Sequence, residues 1–221
     1  MRMKIHGVNI RKEMIEKENK KYKINEIFYS VQGEGFHMGM PAIFIRFAGC
    51  NLNCGYCDTK NDANYEYDLS SLLEIVNDIS RQYNTNNIIL TGGEPTLQID
   101  APIINNLYLK YKIYLETNGS KEVEDIEKVD YIVCSPKKDV KINIQRIDEL
   151  KLVLAQGDKI DNYINLIGHK IHREIKNFYI SPVHVISNNI FKENIDYCFD
   201  LLKDNSRYKL TYQIHKILGL A

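Results

Sequence analysis

Cys50, Cys54 and Cys57 place three thiols within eight residues, in the stretch Cys50-Asn51-Leu52-Asn53-Cys54-Gly55-Tyr56-Cys57-Asp58-Thr59. The spacing lets one irregular turn aim all three at a single metal centre. Soft thiolates select iron–sulfur clusters, zinc or copper(I) over hard cations. A saturated structural site takes four ligands, and this loop offers three. Two arrangements complete the count. Either a distant histidine or Cys134 closes a zinc knuckle, or a four-iron, four-sulfur cluster keeps one iron open for a small molecule. Spacing alone leaves both open.

Other residues carry matching chemistry. Gly92-Gly93-Glu94 sets bare backbone amide and carbonyl groups beside a carboxylate, which suits a zwitterionic ligand with a free ammonium. Arg46 interrupts the apolar run Ala42-Ile43-Phe44-Ile45-Arg46-Phe47-Ala48, and a buried guanidinium must meet an anion to offset its desolvation. Ser30-Val31-Gln32-Gly33-Glu34-Gly35, with two glycines, invites a turn or close approach by a ligand.

Hydrophobic periodicity supplies the elements that must position these groups. Strands are expected at Ile24–Tyr29, Ala42–Ala48, Asn87–Leu90, Lys112–Leu115, Tyr131–Cys134, Leu150–Leu154, Phe178–Ile180 and Lys209–Ile214. Helical spacing covers Leu69–Ile79, with Asp68 or Ser70 as N-cap, and then Ile99–Leu109, a short acidic piece at Val123–Lys128, Lys159–Ile167 and Phe191–Leu202. Strand and helix alternate some six times, which argues a mostly parallel α/β sheet. Thr91, Glu94, Glu116, Asn118, Ser135, Lys137 and Ser181 all fall at C-terminal strand ends, the rim where such sheets build sites. At 221 residues the chain is short for a complete eight-stranded barrel, so the expected fold is a partial, TIM-like (βα)6 barrel. Residues 1–23 read as a polar extension, helical or partly disordered, and residues 24–221 as one domain.

Whole-chain properties exclude several classes. Lys+Arg and Asp+Glu both total 29, so the basic footprint of a non-specific nucleic-acid binder is missing. No apolar run reaches membrane-spanning length, and the polar N-terminus lacks the apolar stretch of a signal peptide. A cytoplasmic, reducing compartment is the expectation, and five cysteines with three clustered read as metal binding, not disulfides.

The Cys-x3-Cys-x2-Cys spacing, Tyr56 before the last thiol, and Gly92-Gly93-Glu94-Pro95 together resemble the radical S-adenosylmethionine (SAM) superfamily. A closer set runs in order from about residue 24 to the end: Asn25 to Gly35, Phe44 to Leu52, Cys57-Asp58-Thr59, Leu90 to Pro95, Glu116 to Gly119, Ser135-Pro136-Lys137 and Gln213 to Lys216. It resembles the 7-carboxy-7-deazaguanine synthase family. That resemblance implies a modified partial barrel, a homodimer, and use of a [4Fe-4S] cluster, SAM and Mg²⁺. The implied reaction converts 6-carboxytetrahydropterin to 7-carboxy-7-deazaguanine, on the route to queuosine. It proceeds by radical hydrogen abstraction at C6, ring contraction and loss of ammonia, with electrons from a flavodoxin- or ferredoxin-type reductant.

The implied roles transfer residue by residue. Cys50, Cys54 and Cys57 ligate the cluster, and SAM takes the open iron. Tyr56, Cys57, Asp58, Gly93, Ser135, Pro136 and Lys137 cradle SAM, and Glu94 takes its ammonium. Thr59 is a Mg²⁺ ligand. Val31, Gln32, Gly33 and Thr91 meet the pterin, and Arg46 pairs with its carboxylate. Cys134 and Cys198 read instead as buried small hydrophobes, and His37 as a loop residue. Glu116, His215 and Lys216 are either structural or close to the site. Two other functions compete: an activase that abstracts hydrogen from a partner protein's glycine, and a non-catalytic zinc or electron-transfer protein. The second leaves the Gly-Gly-Glu and Ser-Pro-Lys strand ends unexplained.

Overall fold

The computed structural model describes residues 20–220 apart from 58, 60, 61, 166, 169, 170, 172, 173 and 185–187, with backbone alone at 188–190. The strands are β1 (Tyr22–Val31), β2 (Pro41–Phe47), β3 (Tyr65–Tyr67), β4 (Asn87–Gly92), β5 (Lys112–Thr117), β6 (Tyr131–Cys134), β7 (Glu149–Leu154), β8 (Asn177–Pro182) and β9 (Lys209–Leu210). They form one nine-stranded sheet in the order β3-β1-β2-β4-β5-β6-β7-β8-β9. β1 is antiparallel to both β2 and β3, and every other pairing is parallel. Six full parallel strands, β2 and β4 to β8, thus answer the expected six units.

The two faces of this sheet do different work, because side chains alternate along each strand. Ile45, Phe47, Leu90, Leu115 and Leu152 point outward. They join one apolar core with Leu72 and Val76 of α1 (Leu69–Tyr83), Ile103 and Leu107 of α2 (Ala101–Tyr108), and Cys198 of α4 (Asn188–Asp204). Only a small apolar group, Ala42, Phe44 and Ile89 with Phe28, Met40 and Tyr114, fills part of the inner face. Arg46, Thr91, Glu116, Glu149, Lys151 and Ser181 alternate with the outward residues. The concave face is therefore polar where it nears the strand ends.

Local signals fix the helices. Asp68 caps α1 by accepting from Ser71 N at 2.8 Å, and Asp100 caps α2 through Ile103 N. The expected acidic helix is reduced to a 3-10 turn at Ile126–Lys128, entered through Asp125 in the left-handed region at φ 52°. Lys159–Ile167 contributes only α3 (Asp161–Ile164). The last expected strand stops at Leu210. Ile214 N turns away to Gly33 O at 3.1 Å, and the chain winds into α5 (Ile214–Leu218). β3 had no sequence signal.

The sheet is not closed by a backbone ladder. Residues 32–40 close it instead, crossing the inner face as a strap. Its ends meet each other, Gln32 N to Met40 O and Gly39 N to Gln32 O, both at 2.8 Å. Its middle reaches the far edge, where Gly35 N donates to Thr211 Oγ1 at 2.8 Å and Phe36 N to Glu149 Oε2 at 2.9 Å. The glycines make this possible. Gly35 has φ +71°, and a Cβ there would lie 2.1 Å from Glu149 Oε1; one on Gly33 would lie 1.9 Å from His215 Nδ1. His37 lies on this strap, a loop as expected, with its ring edge-on against Tyr114 and Tyr131, and burial lowers its pKa.

Candidate active site

The strand ends and the cysteine loop enclose a cavity of about 620 Å³. Its floor is a buried charge network. Lys151, 7% exposed, donates to Glu34 Oε2 at 2.5 Å, and Ser181 Oγ donates to Glu34 Oε1 at 3.1 Å. Glu116 accepts from Gln32 Nε2 at 2.8 Å and from Thr91 Oγ1 at 3.0 Å. Burial alone would push the Glu116 carboxyl up, but the Lys151 ammonium and these two donors outweigh it and hold the pKa low. Glu149, 1% exposed, goes the other way: burial raises it despite the Phe36 amide and Lys151. Burial likewise opposes charge on Lys151, yet Glu34 and Glu116 hold its pKa above the ordinary lysine value.

The cysteine loop is pinned to the neighbouring strand ends. Gly93 N donates to Phe47 O at 3.0 Å and Glu94 N to Gly49 O at 2.9 Å. Asn51 bridges Ser120 Oγ, at 2.9 Å, and Asn118 Nδ2, at 3.1 Å. Cys57 N closes a turn onto Cys54 O at 3.0 Å. Cys50, Cys54, Tyr56, Cys57 and Thr59 all line the cavity. Burial raises the Cys50 pKa, helped by Glu94 and the other two thiols and opposed by the Leu52 amide.

The donor set fits a cluster better than a single ion. Among the described residues no three His, Cys, Asp or Glu side chains gather tightly enough for one metal ion. A zinc knuckle needs that convergence. In a polynuclear cluster each thiolate takes its own iron, so three thiols lining one cavity meet the need. Cys134 and Cys198 are buried in the outer core, where burial pushes each thiol up to about 12. Neither belongs to the site.

Other expected residues divide. Arg46, Thr91, Gly93, Ser135 and Lys137 line the cavity. Lys137 Nζ folds back onto Ser135 O at 2.8 Å and Ser135 Oγ at 2.9 Å, and burial lowers its pKa. Arg46 is half-buried, not enclosed, and its anion is already in place, with Glu26 Oε1 2.7 Å from Nε. Glu94 does not reach the cavity. It is 0% exposed and accepts four hydrogen bonds, three at Oε1 from Thr96 N, Thr96 Oγ1 and Thr117 Oγ1 and one at Oε2 from Asn118 N. Val31 ends the β1 ladder opposite Pro41, Gln32 turns to Glu116, and His215 covers Gly33, so none of the three lines the wall. Pro136 is buried behind it, and Asp58 lies outside the described residues.

Sequence reasoning passed over Glu26, Glu34, Lys151 and His184, all of which line the cavity. His184 Nδ1 is buried without a hydrogen-bond partner among the described residues. The tail also joins: Gln213, His215 and Lys216 line the cavity. The only earlier signal for these was position, since Glu34 and His184 flank strands.

The superfamily's sequence model, that of the radical SAM proteins, matches residues 44–203. The 7-carboxy-7-deazaguanine synthase of Bacteroides thetaiotaomicron is 39% identical over 199 residues, covering 90% of this chain and 98% of that protein. The chain belongs to the 7-carboxy-7-deazaguanine synthase family. The family member of Haemophilus influenzae is 35% identical over 211 residues, covering 90% of this chain and 94% of its own. The crystal structure of QueE from Escherichia coli covers 90% of this chain and 97% of its own with a TM-score of 0.69, at 22% identity. That likeness shows the fold, a radical SAM partial barrel. Radical SAM family membership brings a [4Fe-4S] cluster and SAM as cofactors, and makes the chain an enzyme.

Proposed function

We propose that this enzyme converts 6-carboxytetrahydropterin to 7-carboxy-7-deazaguanine, with loss of ammonia. One observation carries the reading: a single cavity joins three thiols, the bare β4 end and the Arg46 guanidinium. When bound, the cluster and SAM supply one-electron chemistry that generates a hydrogen-abstracting radical. Cys50, Cys54 and Cys57 would hold the cluster. Tyr56, Cys57, Asp58, Gly93 and Ser135-Pro136-Lys137 would form the SAM cradle, with Pro136 backing it from outside the lining. Since Glu94 is fully buried and outside the cavity lining, the SAM ammonium falls to backbone carbonyls of the Gly92–Gly93 strand end.

Arg46 takes the substrate carboxylate, a pairing that suits a planar, permanently charged donor. The aminopyrimidinone edge of a pterin offers adjacent N–H donors. Glu116, with an acceptor position left on each oxygen, and Glu34 present carboxylates to it from the floor, beside Thr91. Val31, Gln32 and Gly33 act one layer back, Val31 at the end of β1 and Gln32 and Gly33 within the strap. Thr59 is assigned as a Mg²⁺ ligand beside substrate oxygens, since a hydroxyl suits a hard cation. The tail residues Gln213, His215 and Lys216 exclude water from the cavity mouth. A flavodoxin- or ferredoxin-type reductant, a homodimer, a cytoplasmic location and one domain over 24–221 complete the reading. No helix among the described residues is long and apolar enough to cross a membrane.

The test is anaerobic incubation of the brown, reconstituted protein with SAM, reductant, Mg²⁺ and 6-carboxytetrahydropterin, following the deazaguanine product. A colourless, zinc-loaded protein unable to cleave SAM overturns the proposal. Thr59→Ala should keep the iron content and lose Mg²⁺ stimulation; unchanged Mg²⁺ dependence removes Thr59 from that site.

A further inference from the structure

Glu26 faces Arg46 because β1 is irregular. The β1–β2 ladder pairs Ile24 with Phe47 and then Glu26 with Arg46, passing over Asn25. Ile24 and Phe47 both belong to the outer apolar core. In an unbroken strand Glu26, two residues on, would share the face of Ile24, and its carboxylate would enter that core. The extra residue of the bulge turns it to the other face. There Glu26 and Arg46 line the cavity together, with Nε donating to Oε1 at 2.7 Å.

The bulge is held from outside the ladder. Asn25 Nδ2 donates to Asp62 O at 2.8 Å, Asn64 Nδ2 donates to Asn25 O at 2.8 Å, and Asn64 N donates to Ile24 O at 3.0 Å. Asp62 and Asn64 belong to the return of the cysteine loop, so the bulge also ties that loop to β1. Arg46 is flanked on a second side by Phe28, whose ring centre lies 5.5 Å from Cζ. With side-chain exposures of 25% for Arg46 and 49% for Glu26, the ion pair is too well solvated to matter much for stability. What it does fix is direction. Held through Nε, the guanidinium keeps its Nη donors for another partner.

We propose that Glu26 is a positioning residue for anion recognition, locking Arg46 through Nε so that its Nη edge meets the substrate carboxylate. This rests on the reading of Arg46 as the carboxylate clamp. The alternative is that Glu26 competes with the substrate for Arg46, in which case removing it tightens binding.

The holoenzyme distinguishes these through kinetics with 6-carboxytetrahydropterin. Glu26→Ala should raise KM about two- to tenfold, the cost of ordering one rotamer-rich side chain on binding, while kcat falls less. Glu26→Gln, whose carbonyl still accepts from Nε, should recover most of the loss. In an Arg46→Ala background, Glu26→Ala should add nothing to KM. An unchanged or lowered KM in Glu26→Ala, or an equal effect without Arg46, overturns the proposal. Failure of the clamp itself shows separately. Arg46→Ala would then weaken 6-carboxytetrahydropterin and its analogue lacking the carboxylate equally, and the proposal falls with it.

Discussion

Replacing Glu94 with Gln separates two jobs for the Gly-Gly-Glu carboxylate, holding SAM and holding the protein. Gln retains a carbonyl where Thr96 N, Thr96 Oγ1 and Thr117 Oγ1 converge at 3.0, 2.6 and 2.7 Å. Its amide nitrogen then faces Asn118 N, which now donates to Glu94 Oε2 at 2.7 Å. Two buried donors confront each other, and each unsatisfied donor costs about 1–3 kcal/mol. Partial relaxation leaves a loss of about 2–4 kcal/mol, or about 5–15 °C in Tm for a chain of this size. The measurement is urea and thermal unfolding of the apoprotein, with neither cluster nor SAM present. Thr117→Val in the same background should destabilise further, because the Gln carbonyl keeps the bond from Thr117 Oγ1 that Val removes. If apo Glu94→Gln unfolds like the parent and only SAM affinity drops, the carboxylate belongs to the cofactor and the reasoning fails.

Gly35→Ala puts a Cβ into a left-handed conformation and against Glu149. The conformation alone costs about 1–2 kcal/mol, so denaturant midpoints should fall; an unshifted midpoint removes the strap from the fold's support. Glu116 has a lowered pKa, so its contribution to stability is present above the ordinary 4.5 and lost as pH falls through the lowered value. Glu116→Gln should therefore lose less stability than the parent on acidification below about pH 5, read by urea titrations at several pH values. A parallel acid limb in both proteins contradicts the network. Cys54→Ala should lose the brown absorbance and bound iron under anaerobic reconstitution, whereas Cys134→Ala should keep both; equal iron in the two would undo the ligand assignment.

The clustering of the thiols and the alternation of strands and helices were legible in the sequence because both rest on local information. Thiol spacing states metal chemistry by itself, and apolar runs such as Ala42 to Phe47 mark strands covered by helices. Strand-end polar residues then located the rim. The rest depended on partners distant in the chain. Glu149-Leu150-Lys151-Leu152 alternates as a half-solvated strand would, and only the closed sheet turns its polar face into a floor opposite Glu34 and Glu116. Glu94 reads as a ligand from the chain alone, whereas the structure buries it against Thr117 and Asn118, more than twenty residues on. The Asn25 bulge has no sequence signature, since alternation read straight through would bury Glu26 with Ile24. The three thiols could be counted from the chain alone. The face each carboxylate occupies was decided by the sheet, because a shift of one residue exchanges core for cavity.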